Sequence, residues 1–179
     1  DDMTYMHRLV CYGAKYNFFV LFILSMPVLI NTEIILKTWL GTVPEYTSIF
    51  LQLIIVNVLI DSISAPLMTS AQATGKIRLY QSVVGGVLLL NVPFSYFSLK
   101  AGGAPYTVVY VGLAASILAF LARLIIIKHI ISFPINLFLK KAVFRGILVT
   151  LTTVTIYKLI HHILQVPLNF LVESTIVTL

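Results

Sequence analysis

Charge is what this sequence has least of: Asp, Glu, Lys and Arg make up 10% of its 179 residues, where a soluble domain carries about a quarter. With 59% of the chain hydrophobic and a mean hydropathy of +1.02, too few polar side chains remain to cover a wetted surface. A soluble fold is excluded. Long polar stretches are also missing, so no linker leads to a second, soluble core. Cysteine is nearly absent. Cys11 stands alone, which excludes an intrachain disulfide and a cysteine-based metal cluster and leaves the compartment open. Asp1-Asp2-Met3 does not read as a positively charged leader, and the apolar runs are expected to be spans, too numerous for a signal peptide. A start at Asp1-Asp2-Met3 and an end at Leu179, inside an apolar run, read as a piece of a longer protein.

What is present is a series of apolar runs. A spanning helix needs about 20 mostly apolar residues to cross about 30 Å of hydrocarbon at about 1.5 Å per residue. Five runs satisfy this: Tyr16–Leu36, Thr47–Ala71, Leu79–Leu99, Tyr106–Ile127 and Phe144–Leu164. A sixth, 167–179, is cut short. Val83–Leu90 and Ile117–Ile127 lack the apolar and polar alternation of a barrel strand. The expected fold is therefore all-α, a polytopic bundle of transmembrane helices forming one domain. Gly41 to Pro44, Thr74 to Lys76 and Ala101 to Pro105 supply the turns between runs. Pro27, Pro66 and Pro93 fall inside proposed spans, where neighbouring helices can satisfy the freed carbonyls. Residues 128–143 mix Ile130, Ile131, Phe133 and Phe138 with basic ends. They suit either a helix lying at the membrane interface or a plain connector with a basic flank.

The net charge of +6 and pI near 9.5 do not point to nucleic acid, because no basic stripe offers a bed for a phosphate backbone. The basic residues lie in the connections instead, where anionic membrane lipids are the natural partners. Arg8, Lys15, Lys76, Arg78, Arg123, Lys128, Lys140, Lys141 and Arg145 fall on one side, and only Lys37, Lys100 and Lys158 near the other. Basic loops stay in the cytoplasm. The amino end is thus expected to be cytoplasmic, with the Gly41 and Lys100 connections facing outward.

Little in the chain suggests catalysis, a metal or a cofactor. Thr74-Gly75-Lys76-Ile77 lacks both the first glycine and the hydroxyl of a phosphate loop. His161 and His162 are adjacent, so on a helix they point about 100° apart and do not share one face for a metal. Asp61 is the most informative residue, because a charge in the middle of a span costs about 2.5–3.5 kcal/mol. Asn57 and Ser64 share its helical face and Gln52 lies near the edge, giving a polar stripe. Such a face lines an aqueous cavity, with Asp61 taking a proton or cation, or else it makes a buried polar contact with another helix. Glu33 and Lys37 have the spacing of a helical ion pair. Arg123 is a candidate contact for an anionic headgroup, although a snorkelling arginine near a span's end has the same signature. Ala115, Ala119 and Ala122 permit close helix packing.

Several strings resemble a known family. Lys37-Thr38-Trp39-Leu40-Gly41, Val43 to Tyr46, Ser64 to Met68 and Ala71 to Arg78 are similar to the carboxy-terminal half of bacterial polysaccharide biosynthesis flippases, relatives of the multidrug and toxin extruders. The resemblance implies a transporter of two lobes that opens alternately to each side of the bacterial cytoplasmic membrane. It implies as cargo an undecaprenyl-pyrophosphate-linked oligosaccharide bound for O-antigen or capsule, a proton or sodium gradient as drive, and a missing amino-terminal lobe as partner. A cation-coupled multidrug exporter of the same superfamily is the alternative, and a polytopic enzyme of glycan assembly a more distant one. Such an enzyme would need a catalytic cluster in a sizeable loop, and the outward connections are short.

Overall fold

A computed structural model describes residues 2–75 and 77–159. The chain divides into two compact units, Asp1–Val143 and Phe144–Leu179. The first contains α1 (Asp2–Ile30), α2 (Thr32–Leu40), α3 (Thr47–Ala73), α4 (Ile77–Leu89), α5 (Asn91–Lys100), α6 (Thr107–Ile131) and α7 (Ile135–Phe138), closed by a π-helical turn over Leu139–Val143. Every regular element among the described residues is helical. Four stretches are long and apolar enough to cross a membrane: Met3–Ile30, Thr47–Ala73, Tyr80–Lys100 and Thr107–Ile131. In the second unit, residues 144–159 are helical. The rest of the fifth expected span, the sixth run at 167–179, and His161 and His162 lie outside the described residues, as does Lys76.

The helices depart from the hydropathy limits for identifiable reasons. The first begins well before Tyr16 because Val10, Ala14, Phe18 and Phe22, four residues apart, form one continuous buried face. That face packs on α3, and Gly13 lets the backbones approach: a Cβ there would stand 3.3 Å from Pro66 Cγ. The same helix stops short of Leu36. Asn31 interrupts it four residues after Pro27, and the Thr32 hydroxyl donates to the carbonyls of Val28 and Leu29 at 2.7 and 3.1 Å. The expected third span is present over Tyr80–Lys100, with a one-residue interruption of its helix at Leu90, whose backbone angles stay helical. A proline ring clashes with the carbonyl four residues back and has no N–H to give it. Pro93 therefore ends α4 at Leu89 and is itself tolerated in the first turn of α5.

The 128–143 segment is a compact cap. The left-handed Ser132 ends α6. Phe133 and Phe138 then tuck their rings together at 5.6 Å, both buried, while Lys128, Lys140 and Lys141 stay exposed. His7 Nε2 lies 3.1 Å from the Ile131 carbonyl, partnering one of the acceptors that a helix end leaves open. The expected Glu33–Lys37 pair does not form; both side chains are exposed, where such a pair contributes at most about 1 kcal/mol.

Ring contacts fix the helix directions. Tyr46 and Tyr106 meet at 5.6 Å, so the connections before α3 and α6 lie at one end of the bundle. His7 and Phe133 meet at 5.3 Å at the other. Consequently α3 and α6 run parallel as central neighbours, with α1 antiparallel on one flank and α4–α5 on the other.

Candidate functional site

The parallel run of α3 and α6 puts Asp61 and Arg123 within reach. Asp61 stands 14 residues beyond Thr47 and Arg123 16 beyond Thr107, or about 21 and 24 Å along their helices. Side chains of helices lean toward the amino end, so the guanidinium drops back to the level of the carboxylate. Arg123 Nη1 lies 3.2 Å from Asp61 Oδ1. The same nitrogen donates to Ser64 Oγ, and the Ser64 hydroxyl donates to the Asp61 backbone carbonyl at 2.9 Å. Ser64 can serve both because its hydroxyl has one proton and two lone pairs.

The pair is unevenly buried. The Arg123 side chain is 12% exposed and that of Asp61 46%, so the guanidinium is held among the helices while the carboxylate looks out from them. Tyr80 of α4, 1% exposed, sits beside the pair with its hydroxyl in the field of both charges. Tyr80 Oη, Arg123 Nε and, one turn from Asp61, Asn57 Oδ1 are the buried side-chain polar atoms without a hydrogen-bond partner among the described residues. All three belong to this neighbourhood. Buried polar atoms are normally satisfied, and Tyr80 and Arg123 are close enough to interact with each other, so this place is a polar patch inside the packing of α3, α4 and α6.

Of the sequence candidates, the structure brings Asp61, Ser64 and Arg123 together and leaves Asn57 one turn away on the same face. Gln52 is elsewhere: its Nε2 donates to Thr32 Oγ1 of α2 at 3.4 Å. Arg123 turns inward to Asp61 and Ser64. Tyr80 escaped the sequence reading, since an aromatic at the start of an apolar run carries no mark of its neighbours. No group of three or more His, Cys, Asp or Glu side chains suited to a metal occurs among the described residues.

Chemically, this is a carboxylate with one oxygen engaged by a guanidinium and an open side. A proton on Asp61 would cancel its attraction for Arg123. A sodium ion would have to share the carboxylate with a fixed positive charge, at about 4 kcal/mol of repulsion for charges 4 Å apart at an effective dielectric constant of 20. Either a proton or a cation at Asp61 would have to compete with the fixed charge of Arg123, so the ion pair itself favours neither. Comparison with known proteins returns no match among family models, curated proteins or solved structures.

Proposed function

We propose that the chain is the carboxy-terminal part of a transporter that flips an undecaprenyl-pyrophosphate-linked oligosaccharide across the bacterial cytoplasmic membrane by alternating access. The observation that carries this reading is the Asp61–Arg123–Ser64 cluster at mid-span with its carboxylate half-exposed. A carboxylate open to lipid is strongly disfavoured, so its open side belongs against an aqueous cleft or another lobe. A sugar-pyrophosphate headgroup needs such a cleft, because hydrocarbon cannot replace its hydration. The strings at Lys37–Tyr46 and Ser64–Arg78 support the choice of cargo. Asp61 then serves as the proton or cation site: when its charge is neutralised it releases Arg123, and the helix pair can change its packing. The amino end is cytoplasmic in this reading, from the distribution of basic residues.

The test uses the full-length protein in cells that depend on it for surface glycan. Asp61→Asn is expected to reduce surface glycan several-fold at unchanged protein level; undiminished glycan rejects ion coupling at this residue. A cysteine at position 61 should react with small polar thiol reagents. Protection in every transport state would favour the second reading, a packed structural ion pair, which the closed Asp61–Arg123 contact also fits.

A further inference from the structure

The break at Leu90 has a consequence on the face opposite the ion pair's partners. Beside it, α6 lines the space with Ala114 and Ala115 between Val111 and Leu118, and a groove of about 580 Å³ opens. Its walls are Val87, Leu90, Phe94, Phe97 and Leu118, with Asn91 and Ser98 as the polar members. The Asn91 carbonyl oxygen already accepts from the Ser95 hydroxyl at 3.1 Å, so an apolar guest strands few polar atoms.

We infer that this groove binds one acyl chain of a phospholipid, whose phosphate meets Lys100. Length and charge decide the occupant. From Val87 to Ser98 the groove runs about 16 Å along the helix axis, close to half of the roughly 30 Å hydrocarbon core. It therefore spans one leaflet. Over that length its lining is apolar apart from Asn91 and Ser98, which suits a hydrocarbon chain. Lys100 ends α5 two residues beyond Ser98 and is exposed. Its ammonium is stabilised at a helix carboxy terminus and lies where an anionic phosphate of that leaflet would sit. A chain moving from bilayer to groove exchanges one apolar surrounding for another, so affinity comes from close packing and the phosphate contact, not from the hydrophobic effect. Bound lipid would cover the notch at the α4–α5 joint. The proposal needs only that the chain spans a membrane, not the transport reading above.

The test takes the full-length protein in vesicles of phosphatidylethanolamine and phosphatidylglycerol containing a phosphatidylglycerol with a photoactivatable acyl chain. Cross-links mapped by mass spectrometry are expected on the 87–98 and 111–118 segments. Ala114→Phe, which fills the groove from an exposed position, should cut that labelling at least several-fold. Ala114→Ser, which leaves it open, should not. Lys100→Gln should lower labelling by phosphatidylglycerol. Equal labelling of the Ala114→Phe variant, labelling confined to other surfaces, or labelling only by a photoactivatable polyprenyl phosphate would each overturn the proposal. So would a cysteine at 114 that cross-links to another segment of the protein in place of lipid.

Discussion

Arg123 holds Asp61 and Ser64 through one nitrogen, and the rest of its planar group carries further donors beside Tyr80. A lysine has a single compact charge and cannot reproduce that fork. Arg123→Leu would leave Asp61 without its charge partner at mid-span. Breaking a fully buried pair costs about 3–5 kcal/mol; the half-exposed carboxylate discounts this to roughly 1–3 kcal/mol. We therefore expect Arg123→Leu to melt several degrees below the parent in detergent, and Arg123→Lys to recover only part of the loss. The double variant Asp61→Asn/Arg123→Leu should melt above Arg123→Leu, because it removes the stranded charge. Equal melting of the single and double variants would show that the two residues are not coupled. The Asn57, Asp61 and Ser64 stripe was legible in sequence because it repeats along one helix. Its partner was not, for Arg123 is 62 residues from Asp61 and its place near a span's end matches a snorkelling residue. The lean of helical side chains toward the amino end was the available signal: on α6 it carries the guanidinium away from the nearer end.

Between helices, close approach and breaks decide the geometry. Hydropathy located all four described spans, yet it missed both breaks, since apolar content is the same on either side of Asn31 and Leu90. Proline chemistry would have found the second. Pro93 forbids the bond to Leu89, and the groove lies beside that interruption. Gly13 shows the opposite device, a missing side chain that lets α1 rest on Pro66. Gly13→Leu should force the helices apart and destabilise the protein by about 1–3 kcal/mol, read as a lowered melting temperature in detergent. Gly86→Ala is the contrasting case. A Cβ there meets nothing within 4 Å, and alanine stabilises a helix interior over glycine by roughly 0.5–1 kcal/mol. Its melting temperature should stay level or rise. A fall equal to that of Gly13→Leu would mean that Gly86 serves a contact outside the described residues.

At the scale of the whole molecule, the alternation of helices and the distribution of charge are independent lines that meet. The Tyr46–Tyr106 and His7–Phe133 contacts sort the connections into two ends without reference to any membrane. The basic residues place Arg8, Lys128, Lys140 and Lys141 at the His7 end, and Lys37 and Lys100 at the other. Basic loops are retained in the cytoplasm, so the His7 end should face inward. Three exposed connection residues make this testable: Thr42 and Gly102 at one end, Ser132 at the other. Cys11 is buried and is replaced by serine to clear the background. In intact cells expressing the full-length protein, cysteines at 42 and 102 should react with a membrane-impermeant maleimide. A cysteine at 132 should react only after permeabilisation. Labelling at 42 and 102 from opposite sides would break the helix alternation itself, whereas labelling of 132 alone from outside would keep the fold and invert its orientation.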